Sequence, residues 1–493
     1  MGKILYLLSC RRERKPQRHG AAVRKLNGRQ SFHRGEIPLS HPAPVFGSIP
    51  YSMVFHHSSN LCAGTRPDLR GLVGAARISF SGIRRFEWDL EDLGAFSPLW
   101  LDAAAIYPKL FWRSRSGAAQ TLAIGELCGG GLRDLLPLLN GADEGVRLFG
   151  GERFAASVAP SGGWAEFPER YFFIPRAEII HAGGRSVLAV NLAGGGQALH
   201  EVEDWVAALG VSPPPHQPAV LTRWDLPNFH QWSLAVDAAL AGFAAGPLRK
   251  VVLARRSTLD LVEKVSPHVL LTVLMAAAPA CFHFSFQPSA SAGAFLGASP
   301  EMLYRRIGDR LESEAVAGTR PRSLDAAEDE RLESQLMKLS KEQLEHRLVV
   351  EALEQTFRGL CADYACDEKP GVLKLSRVQH LRTAVSGTLR GAVDDAAILE
   401  AFHPTPATCG SPVDEARQFI SQYEKFDRGW YAGPFGCVSR DSAEFAVAIR
   451  SMLAKGSQVE VFAGAGIVVG SDPEREWFEL EDKISGVLNV LSA

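Results

Sequence analysis

The chain has 493 residues, 46% hydrophobic and 22% charged. That excludes disordered, collagen-like and small disulfide-stapled classes and fits a soluble globular protein with a large core. The formal net charge of −2 hides an asymmetry. Before Glu36, ten basic residues (Lys3, Arg11, Arg12, Arg14, Lys15, Arg18, Arg24, Lys25, Arg29, Arg34) stand against Glu13, while the remainder holds 43 basic and 54 acidic residues. A body that acidic argues against nucleic acid as a partner, since phosphates demand a basic surface.

Residues 1–35 form a basic segment whose short apolar stretch precedes its arginines, the reverse of a secretory signal. It reads as a disordered tail, an organelle transit peptide or an upstream extension. Residues 36–210 are rich in Gly, aromatics and alternating runs such as AARISFSG and SVLAVNL, so a β-rich half is expected. Prolines in VSPPPHQPA, 211–219, mark the boundary to a region over 220–493 that mixes strands with long helices, and the two halves together can form one large domain. The eight cysteines are scattered, with no C-x-x-C and no His at zinc spacing, which is the usage of a reducing, cytoplasmic compartment. The longest apolar run, Val269 to Phe286, is broken by Pro279 and His283 and reads as a helix followed by a strand, not a membrane span.

Four places in the second half give polar side chains a direction. LRKVVLARRST is a strand whose alternation sets Lys250, Val252 and Ala254 on one face. Desolvation there lowers a lysine pKa, although a strand-end lysine snorkelling to water fits the same run. AFLGASPEMLYRR is a strand, a turn at Ala298 to Pro300, and a second strand. Glu301 directly after the turn is a candidate general acid or else a solvated turn residue. DAAEDERLESQLMKLSKEQLEHRLVVEALEQTF is one long amphipathic helix, with Glu342 and Glu345 on a face shared with Lys338. Two such carboxylates hold a hard divalent cation if further oxygens come from elsewhere, and otherwise form a solvated face.

The C-terminal segment is the richest. In AEFAVAIRSML, alternation sets Phe445, Val447 and Ile449 on one face and Ala446, Ala448 and Arg450 on the other, where the guanidinium suits a carboxylate. VEVFAGAGIVVG is a strand running into Gly464 and Gly466, which would let a backbone N–H approach an anion. Asp472 caps a helix starting at Pro473. Its apolar stripe is Trp477, Leu480, Ile484, Leu488 and Leu491, with Glu476, Glu479 and Lys483 on the adjacent one.

The combination and order of these signals resemble the chorismate-binding enzymes, the family of isochorismate, salicylate, anthranilate and aminodeoxychorismate synthases. The matching segments are KVVLARR, FLGASPEML, ESEAVAGTR, SKEQLEHRLVVE, VQHL, HPTPATCG, GWYAGPFG, EFAVAIRS and AGAGIVVGSDPEREWFELEDK. Upstream YPKLFWRSR, FGGERF and FFIPRAEI are similar to the family's more variable half. The resemblance implies an α+β fold of two large, mostly antiparallel β-sheets stacked face to face with helices outside.

It also implies site roles. Glu345 and Glu479 would be Mg²⁺ ligands, supported by Glu342. Arg450 and Tyr431 would hold the enolpyruvyl carboxylate of chorismate near the backbone of Gly464. Lys483 and His380 would line the pocket, and Gly318 with Thr319 would lie beneath the ring carboxylate. Members that add water carry a lysine at Lys250 and a glutamate at Glu301, as catalytic base and acid. Ala317 stands where aminodeoxychorismate synthases carry a nucleophilic lysine. The implied activity is that of an isochorismate synthase of menaquinone or siderophore type: Mg²⁺-dependent, reversible addition of water at ring carbon 2 with loss of the carbon-4 hydroxyl. Salicylate synthase is the alternative, ahead of an anthranilate synthase component I or a non-catalytic chorismate-binding homologue. The expected partner is small-molecule chorismate, with no nucleic acid and no membrane span, in a monomer or weak homodimer.

Overall fold

The computed structural model describes residues 82–90, 96–155, 160–194, 199–210, 219–391 and 393–492. All of them fall within one compact unit, Ser48–Ala493. The basic segment 1–35, most of AARISFSG and the proline-rich 211–218 lie outside the described residues.

The strands, in chain order, are β1 (Ile83–Leu90), β2 (Lys109–Arg113), β3 (Ala119–Gly130), β4 (Leu148–Glu152), β5 (Arg170–Ala182), β6 (Arg185–Ala193), β7 (Val220–Leu226), β8 (Lys250–Leu261), β9 (Phe282–Gln287) and β10 (Ala294–Ser299). They continue as β11 (Met302–Ile307), β12 (Arg310–Pro321), β13 (Cys361–Cys366), β14 (Gly371–Lys374), β15 (Val378–Leu389), β16 (Gly410–Ser411), β17 (Pro434–Val438), β18 (Ser442–Val447), β19 (Ser451–Lys455) and β20 (Gln458–Ile467). Helices are α1 (Leu132–Asn140), α2 (His200–Ala207), α3 (Phe229–Ala245), α4 (Pro267–Ala277), α5 (Ala326–Leu336), α6 (Ser340–Leu360), α7 (Asp395–Phe402), α8 (Val413–Tyr423) and α9 (Pro473–Ser492).

Pairing is antiparallel and follows two branches. One runs β1-β6-β5-β3-β2-β9-β10-β19-β20-β8-β7, and the other β4-β17-β18-β11-β12-β15, with β13 and β14 on β15. They join at β5, which carries β4 beside its first residues and β6 beside its last. The inner faces of the two sheets meet through aromatic rings, Phe284 of β9 on Phe435 of β17 at 5.0 Å between centroids and Trp112 of β2 on Phe435 at 5.9 Å. Outside the second sheet, Tyr304, Leu311, Ala315, Val385 and Phe445 bury against Phe357 of α6 and Ile398 and Phe402 of α7. The first sheet is covered by α3, α4 and α9. Local chemistry sets these helix starts. Ser266 caps α4 ahead of Pro267, Asn228 and Gln231 form a reciprocal box on α3, and Arg475 N donates to Asp472 Oδ1 at 3.0 Å. The run Val269 to Phe286 is the buried helix and strand expected of it, and among the described residues no helix is long and apolar enough to cross a membrane.

Three local expectations change. The alternating run AEFAVAIRSML is not one strand: β18 ends at Val447, Arg450 takes a φ of +52°, and β19 begins at Ser451. The break moves the chain from β11 and β17 of one sheet to β10 and β20 of the other, so Ile449 and Arg450 are not held on opposite faces. A matching break sits at Pro300–Glu301, one step later than expected, where β10 of the first sheet gives way to β11 of the second. The two crossings are stitched together, with Val447 N donating to Glu301 O at 3.1 Å and Ala298 N to Arg450 O at 3.1 Å. Finally, the long helix is two. Helix α5 stops at Leu336 and α6 starts at Ser340, which leaves Lys338 exposed in the connection and off the face of Glu342 and Glu345.

Candidate active site

The crossings from sheet to sheet open a cavity of about 80 Å³ at the strand ends, roofed by α6 and α9. Glu301, Gly318, Thr319, Glu345, His380, Tyr431, Arg450, Gly464 and Lys483 line it, together with Val252, Ala407, Thr408, Ile449 and Gly466. Lys250 and Glu479 bond into this wall from behind. Lys250 Nζ lies 3.2 Å from Glu345 Oε1, and Lys483 Nζ donates to Glu479 Oε1 at 2.6 Å and to Gly464 O at 2.8 Å. Lys250 is therefore not surrounded by apolar groups alone. It is fully buried beside a carboxylate, and its Nζ makes no hydrogen bond of good geometry.

Each element delivers its side chain for a local reason. Gly318 sits at a bulge of β12 against β15 with φ +75°, and a Cβ there would come within 3.1 Å of the Glu342 Cβ. Only glycine lets the bulged strand run that close beneath α6. The bulge turns Thr319 toward His380, with Thr319 Oγ1 3.1 Å and Gly318 O 3.3 Å from His380 Nδ1. Burial first, then Arg450 and Lys483, push the His380 imidazole down to about 3, so it works as a neutral hydrogen-bonding group. Glycines 464 and 466 act differently from the expected anion cradle. Both lie inside β20, where a Cβ would meet Tyr431 Oη at 2.8 Å and Glu345 Oε1 at 2.1 Å respectively. They clear room for the protein's own functional groups.

Glu301 is the electrostatic centre of the cavity. Burial first, and then the charge of Glu314, push its carboxyl up to about 8 against the opposing pull of Lys250 and Lys483. A carboxylic acid is thus kept protonated near neutral pH, the condition for acting as a proton donor. Burial likewise raises the Tyr431 phenol, leaving it a neutral donor.

Behind the cavity, on α6 and α9, the carboxylates crowd. Glu342 is 2% exposed, pairs with Arg320 at 2.8 Å through one oxygen and leaves Oε2 without a hydrogen bond. Sequence reasoning assigned no role to Lys341 or Glu476. Lys341 Nζ lies 2.6 Å from Glu476 Oε1 and feels Glu479 and Glu345 as well. Burial and the neighbouring Glu479 hold Glu476 above the usual carboxylate range, whereas Lys483 and Lys341 overcome burial to hold Glu479 below it. The signal for Glu476 was present in its i, i+3 spacing from Glu479. Lys341 lies in the first turn of α6, just past a break that the sequence pattern did not show.

Among the described residues no three His, Cys, Asp or Glu side chains converge tightly enough to hold an ion unaided. The donor set nonetheless fits a hard divalent cation that takes its remaining oxygens from a bound carboxylate and water. Glu345 and Glu479 each lean on an ammonium group, and the buried Glu342 Oε2 has no donor.

A family model described as chorismate binding enzyme matches residues 138–492. Isochorismate synthase 2, chloroplastic, of Arabidopsis thaliana is 36% identical over 69% of this chain and 63% of its own length. The chain thus spans somewhat under two thirds of that relative. Isochorismate synthase MenF of Escherichia coli (strain K12) is 34% identical over 83% of this chain and 94% of its own length. The solved structure of MenF, the menaquinone-specific isochorismate synthase from Escherichia coli, superposes with a TM-score of 0.76 at 31% identity, over 86% of this chain and 98% of that one.

Proposed function

The chain belongs to the chorismate-binding enzymes, and from that premise we propose that it is an isochorismate synthase, interconverting chorismate and isochorismate. The observation that carries this reading is the pairing of a fully buried lysine, Lys250, with a buried carboxyl, Glu301, kept protonated at neutral pH beside one cavity. A base and an acid on the two sides of a ring are what water addition at one carbon and hydroxide loss at another require.

The chemistry then follows from proton bookkeeping. Lys250 takes a proton from the water that attacks ring carbon 2. Glu301 gives its proton to the hydroxyl leaving carbon 4, and the ring double bonds shift between the two positions, so no atoms are lost overall. Arg450 and Tyr431 hold the enolpyruvyl carboxylate, while Gly318 and Thr319 shape the floor under the ring carboxylate. His380, neutral and fixed by Thr319, adds a hydrogen bond without adding charge. Glu345 and Glu479, supported by Glu342, would hold Mg²⁺, whose charge anchors the ring carboxylate and withdraws electron density. A dianion can be bound by an acidic chain because Arg450 and Lys483 line the cavity, and electrostatics is decided locally. The reading extends to a reducing, cytoplasmic setting, which six unpaired cysteines among the described residues support.

The test is product analysis of the purified chain with chorismate and Mg²⁺. Isochorismate alone is expected. Salicylate plus pyruvate would replace this reading with a salicylate synthase, and anthranilate on adding ammonia would overturn both.

A further inference from the structure

The turn that carries Glu301 is gripped by groups that no substrate atom needs to touch. Arg115, in the connection between β2 and β3 of the upstream half, donates through Nη1 to Pro300 O at 2.8 Å and also to Glu314 Oε1. Glu314, on β12 of the other sheet, accepts from Met302 N at 3.4 Å, from Arg115 Nη2 at 3.1 Å and from Arg382 Nε at 2.5 Å. The peptide groups on both sides of Glu301 are therefore tied to one ion pair. The grip is completed by Ser299 Oγ, which accepts from Glu301 N at 3.2 Å and donates to Val447 O at 2.6 Å. The Glu314 side chain is fully buried, and that of Arg115 is 20% exposed. A buried carboxylate flanked by two guanidinium groups stays ionised, because burial is outweighed by Arg115 and Arg382.

We propose that Arg115 and Glu314 are positioning residues for the acid, fixing where the Glu301 carboxyl points and setting a fixed negative charge beside it. The proposal rests on the reading of Glu301 as proton donor. The pair spans the sheet crossing at the place where the backbone leaves both ladders. A strand end is free to swing there, and general acid catalysis tolerates little swing. Charge does the rest: the groups facing Glu301 are Glu314 from β12, Lys250 from β8 and Lys483 from α9, with Tyr431, Arg450, His380 and Glu345 on the same cavity. Glu314 is the neighbour that opposes ionisation of the acid, and Arg115 moderates it.

Two substitutions therefore act in opposite senses on the pH dependence. Activity requires protonated Glu301, so it is lost as pH rises through the pKa of that group. Glu314→Gln removes the opposing charge and should move the alkaline limb of the kcat profile down by about one pH unit. Arg115→Gln removes a cation and should move the limb up. Both should lower kcat by about tenfold, with KM for chorismate within about threefold of wild type.

The experiment measures kcat and KM from pH 6 to 10 for the full chain, Glu301→Gln, Glu314→Gln and Arg115→Gln, with Mg²⁺ saturating. Limbs displaced in opposite directions support the proposal. If Glu314→Gln does not fold, the upward shift in Arg115→Gln decides alone. Limbs that stay in place, or a KM rise with unchanged kcat, overturn the positioning role while the loss of turnover in Glu301→Gln leaves the proposed function standing. Turnover by Glu301→Gln near the wild-type rate overturns both.

Discussion

Two of the regions that bury charge do so in opposite ways. In the upstream sheet, Arg85 donates to Glu87 at 2.7 Å, to Glu178 at 2.7 Å and to Asn191 at 3.2 Å, while Arg147 reaches the second oxygen of Glu178 at 2.5 Å. Asn191 closes the network on Pro175 O at 2.8 Å. Around the cavity, by contrast, Lys250 Nζ and Glu342 Oε2 lack hydrogen bonds, Glu301 is kept un-ionised, and carboxylates crowd behind the wall. A closed polar network fixes a fold, whereas an open one is costly to keep and marks the place where a ligand completes it.

Breaking this comparison at the chemical end should give the largest effect. Lys250→Ala and Glu301→Gln should each lower kcat by about 10³-fold or more, in the range of lost general acid–base catalysis, with folding retained by circular dichroism. Breaking it at the structural end should do the reverse. Arg85→Met strands Glu178 with one partner fewer and should cost about 3–5 kcal/mol of stability in denaturant titrations, while leaving KM of the folded fraction unchanged. Next come the carboxylates. Glu345→Gln and Glu479→Gln should weaken Mg²⁺ binding by about 10–100-fold, read by titration calorimetry, without the stability loss seen at Arg85. The mildest probe is pH: kcat of the unaltered chain should hold through neutrality and fall as pH rises through about 8, where Glu301 loses its proton.

What the sequence disclosed follows the range of the interactions concerned. Lys250 at the head of a strand, the i, i+3 glutamates on α6 and α9 and the Asp472 cap are local patterns, and they were legible as such. The crossings at Pro300–Glu301 and Val447–Ser451 were not, because a strand's change of sheet depends on partners far away in the chain, β19 beside β10 in one sheet and β18 beside β11 in the other. The same is true of Arg115 and Glu314, which are 199 positions apart and meet only because the crossing brings them together. Glycines 464 and 466 read as an anion's approach to the backbone, because the groups that need the space they clear, Tyr431 and Glu345, come from other segments. The roles of individual residues became readable through the order of nine segments taken together, not from any one of them.

The central claim is that water, activated at Lys250, adds at carbon 2 while Glu301 protonates the departing hydroxyl. Initial-rate turnover of chorismate with Mg²⁺ in ¹⁸O-enriched water tests it most directly, by mass spectrometry of the isochorismate formed. One solvent oxygen in the carbon-2 hydroxyl is expected; unlabelled isochorismate, its hydroxyl passed on within the substrate, would contradict the account.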